Sequence, residues 1–409
     1  MEFLNISAVV LTMSALFSYI NQKYLKLPVT IGLVIITILF SLVCMLIAKT
    51  GLNLGLGELV SNIDFNETLL VGMLSFLLFA GALHVNLDDL AQRWIEITIF
   101  ATLGVIASTF ITGSLLYYTL GFFDIKPGYI YCLIFGALIS PTDPVAVLGI
   151  LKKAGVKKEV ETVIAGESLF NDGIGVVVFM ILVSFLDAGS QSVLKEGFIL
   201  FSTEALGGVI LGLGAGLIAY YMLYRIDDYK VEVLITLALV TGAYSLALKL
   251  HTSGPIAIVA AGLLIGNHGR MFAMSEKTRI SLDDFWKLVD EILNAALFVL
   301  IGLEVIVIST NPKYMAMGFI CVPLVLFVRF ICIGTPVFFL RNIRNLSKGM
   351  VRIMTWGGLR GGISVALALS LPLGEERELI LSMTYVVVVF SLVFQGLSIK
   401  SLVKKLENN

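Results

Sequence analysis

The chain has 409 residues, of which 58% are hydrophobic and only 14% charged, with a net charge of -1. A soluble domain carries about 25% charged residues, so a mean hydropathy of +0.98 over the whole length leaves little room for one. The near-neutral charge also excludes nucleic acid as a partner, since that calls for a basic patch.

A membrane span needs about 20 mostly apolar residues. Read between polar breaks, the sequence predicts thirteen, at 6–22, 28–49, 67–85, 94–120, 128–150, 160–186, 197–224, 230–250, 254–268, 287–309, 313–340, 350–372 and 378–402. The first follows Met1–Asn5, which holds no Lys or Arg and precedes no small-residue cleavage site, so it reads as a retained span rather than a signal peptide. Residues 275–287, with Glu276, Lys277, Arg279, Asp283 and Asp284, read as a separate interfacial amphipathic segment. Cys44, Cys132, Cys321 and Cys332 fall in apolar runs without paired spacing and imply neither disulfides nor a metal site.

Positive charge sorts the loops. With the N-terminus outside and the C-terminus cytoplasmic, as thirteen crossings require, twenty of the 28 Lys and Arg fall on the cytoplasmic side and six outside. The remaining two, Arg329 and Arg360, lie within spans. Other ionisable groups deep in apolar sequence are Asp143, Glu167, Asp172 and Glu304. Such groups cost a few kcal/mol or more in a bilayer and usually mark a pathway.

Three of these stretches are unusual. Span 5 contains Ser140-Pro141-Thr142-Asp143-Pro144, where two prolines remove backbone donors and disfavour helix before them. Two half-helices meeting at an unwound strip are expected there, the bland alternative being a proline kink. Span 12 contains Gly357-Gly358-Leu359-Arg360-Gly361-Gly362, four glycines around a buried cation. Spans 5 and 12 cross in opposite senses, so the two breaks point to inverted repeats, spans 1–6 and 8–13, with a site at the midplane. The expected fold is therefore an all-α polytopic membrane protein of two inverted six-helix repeats with discontinuous helices 5 and 12. Span 6 reads Gly166-Glu167-Ser168-Leu169-Phe170-Asn171-Asp172-Gly173; Ser168 and Asp172 share one helical face, Glu167 and Asn171 the adjacent one. Arg360 is the expected partner of Glu167, because an unpaired buried charge is very costly.

An alkali cation needs several oxygens, which Asp172, the Ser168 and Thr142 hydroxyls and freed carbonyls in the break would supply. Asp143 either contacts the ion or balances the positive end of a half-helix, and Arg360 would balance the negative ends of span 12. Burial disfavours an ionised carboxylate while nearby donors and cations favour it. Asp172 then holds a proton or a cation but not both, which is the physical basis of exchange. Glu304 and Arg329 either pair or face a water-filled vestibule. His84, His251 and His268 lie near span ends and read as interfacial. Gly207, Gly208, Gly212, Gly214 and Gly216 suit close helix packing, in a dimer contact or inside the bundle.

Ser140–Val145, Gly166–Gly173 and Gly357–Ser364, with the thirteen-span layout, resemble the bacterial and archaeal NhaP-type sodium/proton antiporters, relatives of the animal exchangers. The resemblance covers essentially the whole chain. It implies that Asp172 binds cation and proton alternately, that Thr142 and Ser168 help coordinate the ion, that Asn171 and Asp143 stabilise the crossed-helix site, and that Glu167 pairs with Arg360. Asn at 171 before Asp172 implies electroneutral one-for-one exchange of Na+ or Li+ for H+. A homodimer is implied as well, with a moving core (about 94–186 and 313–402) beside a fixed scaffold (about 6–85 and 197–309). No cofactor and no enzyme activity are implied; the partners are a monovalent cation, the proton and the lipid bilayer of a bacterial or archaeal cytoplasmic membrane. Ala80 stands where some archaeal members carry an ion-coordinating glutamate, which keeps K+/H+ exchange open. The seven residues after span 13 leave out the long regulatory tail of the animal relatives. An ion channel fits less well with one titratable aspartate at a break, and an intramembrane hydrolase using Ser168 lacks a basic partner in any central span.

Overall fold

The computed structural model describes residues 2–50, 72–143, 145–187, 193–306, 311–344, 346 and 349–407, and among them every regular element is helical. Residues 67–71 and 307–309 of the predicted third and tenth spans, and Pro144 of the span 5 break, lie outside the described residues.

The first pair, α1 (Glu2–Ile20) and α2 (Val29–Lys49), turns at Asn21, whose side-chain amide bonds the Leu27 carbonyl and amide. α3 (Leu74–Leu83) is followed by the short α4 (Leu87–Gln92), capped where the Asn86 side chain accepts from the Asp88 and Asp89 amides. α5 (Trp94–Thr98) runs on through a widened turn into α6 (Gly104–Phe122). Next come α7 (Tyr129–Ile139), α8 (Val145–Ala154), α9 (Lys158–Asp187), α10 (Val193–Tyr224) and α11 (Tyr229–Lys249). α12 (Gly254–Leu264) continues through a widened turn into α13 (Arg270–Phe272). The remainder is α14 (Glu276–Leu303), α15 (Pro312–Arg344), α16 (Met350–Gly357), α17 (Gly362–Leu369), α18 (Glu375–Phe390) and α19 (Gly396–Glu407). Among the described residues, seven helical stretches are long and apolar enough to cross a membrane, and α3 and α7 are shorter apolar helices. The chain is a multi-pass membrane protein.

Residues 275–287 do not form a separate segment. Ser275 caps α14 by accepting from the Thr278 amide, and the helix runs unbroken to Leu303. No proline or glycine interrupts it before Gly302, so the polar start and apolar end are one rod. Proline alone does not break these helices either, since α15 stays continuous across Pro323 and Pro336. Both observed breaks combine helix-breaking residues with a polar or charged neighbour.

Buried side chains gather in two apolar clusters. One joins α1, α2, α7 and the later helices α15–α19; the other joins α3, α11, α12 and the start of α14 around Trp286. Four glycines of the α10 stripe, Gly207, Gly208, Gly212 and Gly216, pack against α12 and the turn before it, while Gly214 faces open space. A Cβ on Gly212 would sit 2.1 Å from the Ala257 carbonyl oxygen of α12, and one on Gly208 would sit 2.7 Å from that of Ser253. At one end of the bundle Glu96, fully buried, bonds Arg344 of α15 at 3.1 Å and Arg93 at 3.3 Å, and Arg93 reaches Glu159 of α9 at 3.1 Å.

Candidate functional site

Both expected helix breaks are present. α7 ends at Ile139 and α8 begins at Val145; α16 ends at Gly357 and α17 begins at Gly362. The strips between them lie against each other. The Asp143 amide donates to the Leu359 carbonyl at 2.8 Å, and Arg360 donates from one Nη1 to the carbonyls of Ser140 (2.5 Å) and Pro141 (2.9 Å). A guanidinium thus sits at the carbonyl end of α7, where the helix dipole is negative. This corrects the expected placement of Arg360 at the ends of its own span. The Asp143 side chain lies against Gly361, the residue that precedes α17, so a carboxylate sits near that helix's positive end. A Cβ on Gly361 would come within 2.8 Å of Asp143 Oδ2; the close crossing requires a residue without one. Arg360 is further tied by its own amide, which donates to Ser391 Oγ at 2.9 Å.

α9 passes beside the first break. The Asn171 amide clasps Thr142, donating from Nδ2 to Thr142 Oγ1 at 2.9 Å and accepting from the Thr142 amide at 3.4 Å. Thr142 Oγ1 and Ser168 Oγ are 3.2 Å apart. A hydroxyl has one proton and two lone pairs, so this arrangement leaves hydroxyl lone pairs free to face an ion. One residue on, Asp172 is 9% exposed, and no described residue donates a hydrogen bond to its carboxylate. Asp172, Ser168 and Asp143 all line a cavity of about 610 Å³. Its far rim carries Lys152, Lys158 and Lys287, each on the side that the charge count makes cytoplasmic.

The partner of Glu167 is a correction. Arg329 of α15 grips it with both terminal nitrogens, the second at 2.9 Å from Oε2. Arg360 makes no hydrogen bond to Glu167; its guanidinium is spent on the carbonyls of the break. Arg329 therefore does not pair with Glu304 either. The sequence marked Glu167, Arg329 and Arg360 as buried charges, but two cations competed for one anion, and nothing in the spacing chooses between them. Ala80 lines the cavity, as the resemblance implies, and its carbonyl is already engaged 2.7 Å from His84 Nδ1. Asp290 and Asn294 of α14 also line the cavity and were not singled out, because they sit beside Lys287 and Glu291 where the polar start of the helix runs into the apolar half.

Residues 12–405 match the family model described as sodium/hydrogen exchanger, transmembrane. The chain belongs to the sodium/hydrogen exchanger family. It is 48% identical over 410 residues to the Na(+)/H(+) antiporter NhaP of Pseudomonas aeruginosa, covering 98% of this chain and 97% of that one. It is 35% identical over 400 residues to the Na(+)/H(+) antiporter NhaH of Halobacillus dabanensis, covering 94% and 93%. Among solved structures, the sodium proton antiporter MjNhaP1 of Methanocaldococcus jannaschii at pH 8 superposes with a TM-score of 0.78 over all of both chains, at 19% identity. At that identity the superposition speaks for a shared fold.

Proposed function

We infer that this member of the exchanger family is a secondary antiporter that exchanges Na+ or Li+ for H+, one for one, with both ions competing for Asp172. The observation that carries the reading is the cavity lined by Asp172, a buried carboxylate to which no described residue donates, beside the paired hydroxyls of Thr142 and Ser168. A bare carboxylate in such a place is stable only when neutralised. A proton neutralises it by forming a carboxylic acid; a sodium ion does so by direct coordination, with Thr142, Ser168 and water adding oxygens. Only the neutral forms move easily through an apolar barrier, so each inward or outward step carries one ion, and the exchange is electroneutral. Asn171 adds no charge and holds Thr142 in place. Asp143 and Arg360 offset the ends of the broken helices, while Arg329 neutralises Glu167 without competing for the ion.

Alternating access then has a simple description. The core around α5–α9 and α15–α19 slides past a scaffold of α1–α3 and α10–α14, closing the cavity on one face and opening another. In this reading there are thirteen crossings in two inverted repeats, with the N-terminus outside, the C-terminus cytoplasmic, and a second copy of the chain on the scaffold. The cavity opens to the cytoplasm. The membrane is the bacterial or archaeal cytoplasmic membrane.

Ala80, with its carbonyl engaged by His84, removes one oxygen that a sodium ion would otherwise use. K+/H+ exchange is therefore the second reading. Purified protein in liposomes containing a pH dye separates them. Na+ and Li+ are expected to collapse an imposed pH gradient, with K+ ineffective, and the rate is expected to be unchanged when the membrane potential is clamped. A K+ response without a Na+ response would overturn the choice of ion, and currents without proton movement would overturn antiport.

A further inference from the structure

The cavity lined by Asp172 also takes a carboxylate from α14, Asp290. Lys287, Asp290, Asn294 and Leu297 recur at helical steps along one face of α14, and all four line the cavity. From the mouth inwards the stripe runs from a lysine, through an acid and an amide, to an apolar side chain. Asn294 is 4% exposed and donates from Nδ2 to Asp290 Oδ1 at 3.0 Å. That bond fixes the carboxylate and leaves Oδ2, and the Asn294 carbonyl oxygen, for the cavity. Asp290 forms no ion pair with any described residue, although Lys287 lies one turn away on the same helix. The other acids near the mouth are engaged: Glu161 pairs with Lys152 at 3.1 Å and Asp89 with Lys158 at 2.7 Å.

The arrangement has a direction. At the rim Lys152 and Lys158 are paired with Glu161 and Asp89, which leaves, among the described lining residues, one cation, Lys287, against the carboxylates of Asp290, Asp143 and Asp172, a balance that favours a cation inside the cavity. A carboxylate on a low-dielectric wall concentrates cations near it and raises their rate of capture. Asp290 also sits on a different helix from Asp172, so a change in access that moves α9 relative to α14 would part the two groups.

We propose that Asp290, oriented by Asn294, recruits the transported monovalent cation from the cavity mouth and sets its affinity on that side only. The proposal rests on exchange at Asp172 and adds a residue that the ion meets before it. Asp290 offers the ion one or two carboxylate oxygens and keeps part of its water shell, which fits a station passed on the way and not the place of exchange.

The test uses the full chain in oriented vesicles, with Na+ titrated separately from each face. Asp290→Asn is expected to raise the KM for Na+ about three- to tenfold on the face of the lysine-bearing mouth, with the maximal rate changed less than twofold. The KM from the opposite face is expected to stay as in the wild type, and Asp290→Glu to recover part of the lost affinity. Asn294→Ala is expected to raise the same one-sided KM by a smaller factor, and serves if Asp290→Asn does not fold. An unchanged KM at the mouth in both variants, or an equal rise on both faces, overturns the proposal. If the wild type exchanges no cation for protons, the antiport reading fails instead; if it exchanges normally and only the one-sided shift is missing, this inference alone fails.

Discussion

The pairing of Glu167 with Arg329 can be tested against its rival by a double-mutant cycle. Glu167 is 1% exposed and Arg329 7%, and the contact is two-pronged, with Nη2 at 2.9 Å from Oε2. At an effective dielectric of about 20, opposite unit charges at that separation attract by about 6 kcal/mol. Much of this offsets desolvation, so the pair adds little net stability, but removing one partner strands a buried charge at a cost of about 3–5 kcal/mol. Glu167→Ala and Arg329→Ala are therefore each expected to lower the thermal midpoint in detergent sharply. The double variant should be less damaged than the sum of the two, with a coupling of about 1–3 kcal/mol. Arg360→Ala should also destabilise, because the Ser140 and Pro141 carbonyls lose their donor, yet its coupling to Glu167→Ala should be smaller than that of Arg329→Ala, since no hydrogen bond joins Arg360 to Glu167. Coupling of Glu167 to Arg360 with none to Arg329 would refute the pairing and the role given to Arg360.

In the proposed reading Asp172→Asn removes the group that trades a proton for a cation, so exchange in liposomes should fall to background while the thermal midpoint holds or rises. Exchange at near wild-type rate would refute the assignment. Thr142→Ala and Ser168→Ala each delete a hydroxyl proposed to coordinate the ion, and each should raise the KM for Na+ about three- to tenfold on both faces, in contrast to Asp290→Asn. Loss of one such oxygen is worth about 1 kcal/mol, the scale of an ordinary hydrogen bond.

Much of the site was legible because membrane sequences have few places to hide polar chemistry. A Pro-Thr-Asp-Pro strip and a Gly-Gly-Leu-Arg-Gly-Gly strip cannot propagate a helix in lipid, and the breaks appear where those residues stand. The i, i+4 spacing of Ser168 and Asp172 likewise dictated that both face one cavity. What stayed hidden was three-dimensional. Choosing between Arg329 and Arg360 needed the distance across helices that are far apart in sequence. Asp290 escaped notice because a charge beside Lys287 and Glu291 has a bland explanation, and only the packing of α14 shows that it lines the same cavity as Asp172. The continuity of α14 was missed for a related reason: a change from polar to apolar composition was taken for a boundary, although no residue there stops a helix.

The crossing of the two broken helices also has a consequence in time. The donors that satisfy the Ser140 and Pro141 carbonyls come from Arg360, 220 and 219 residues later in the chain. Ribosomes add about 5–20 residues per second, so α7 and α8 wait roughly 10–40 s in the membrane before their missing partner is made. During that interval the first break holds bare carbonyls and its half-helices lack a brace. Chains stalled before Gly357 should accordingly leave Cys132 of α7, buried in the finished bundle, open to a membrane-permeant thiol reagent, and chains released after Ser391 should protect it. The last third of the sequence is thus the clasp that lets the earlier break finish folding.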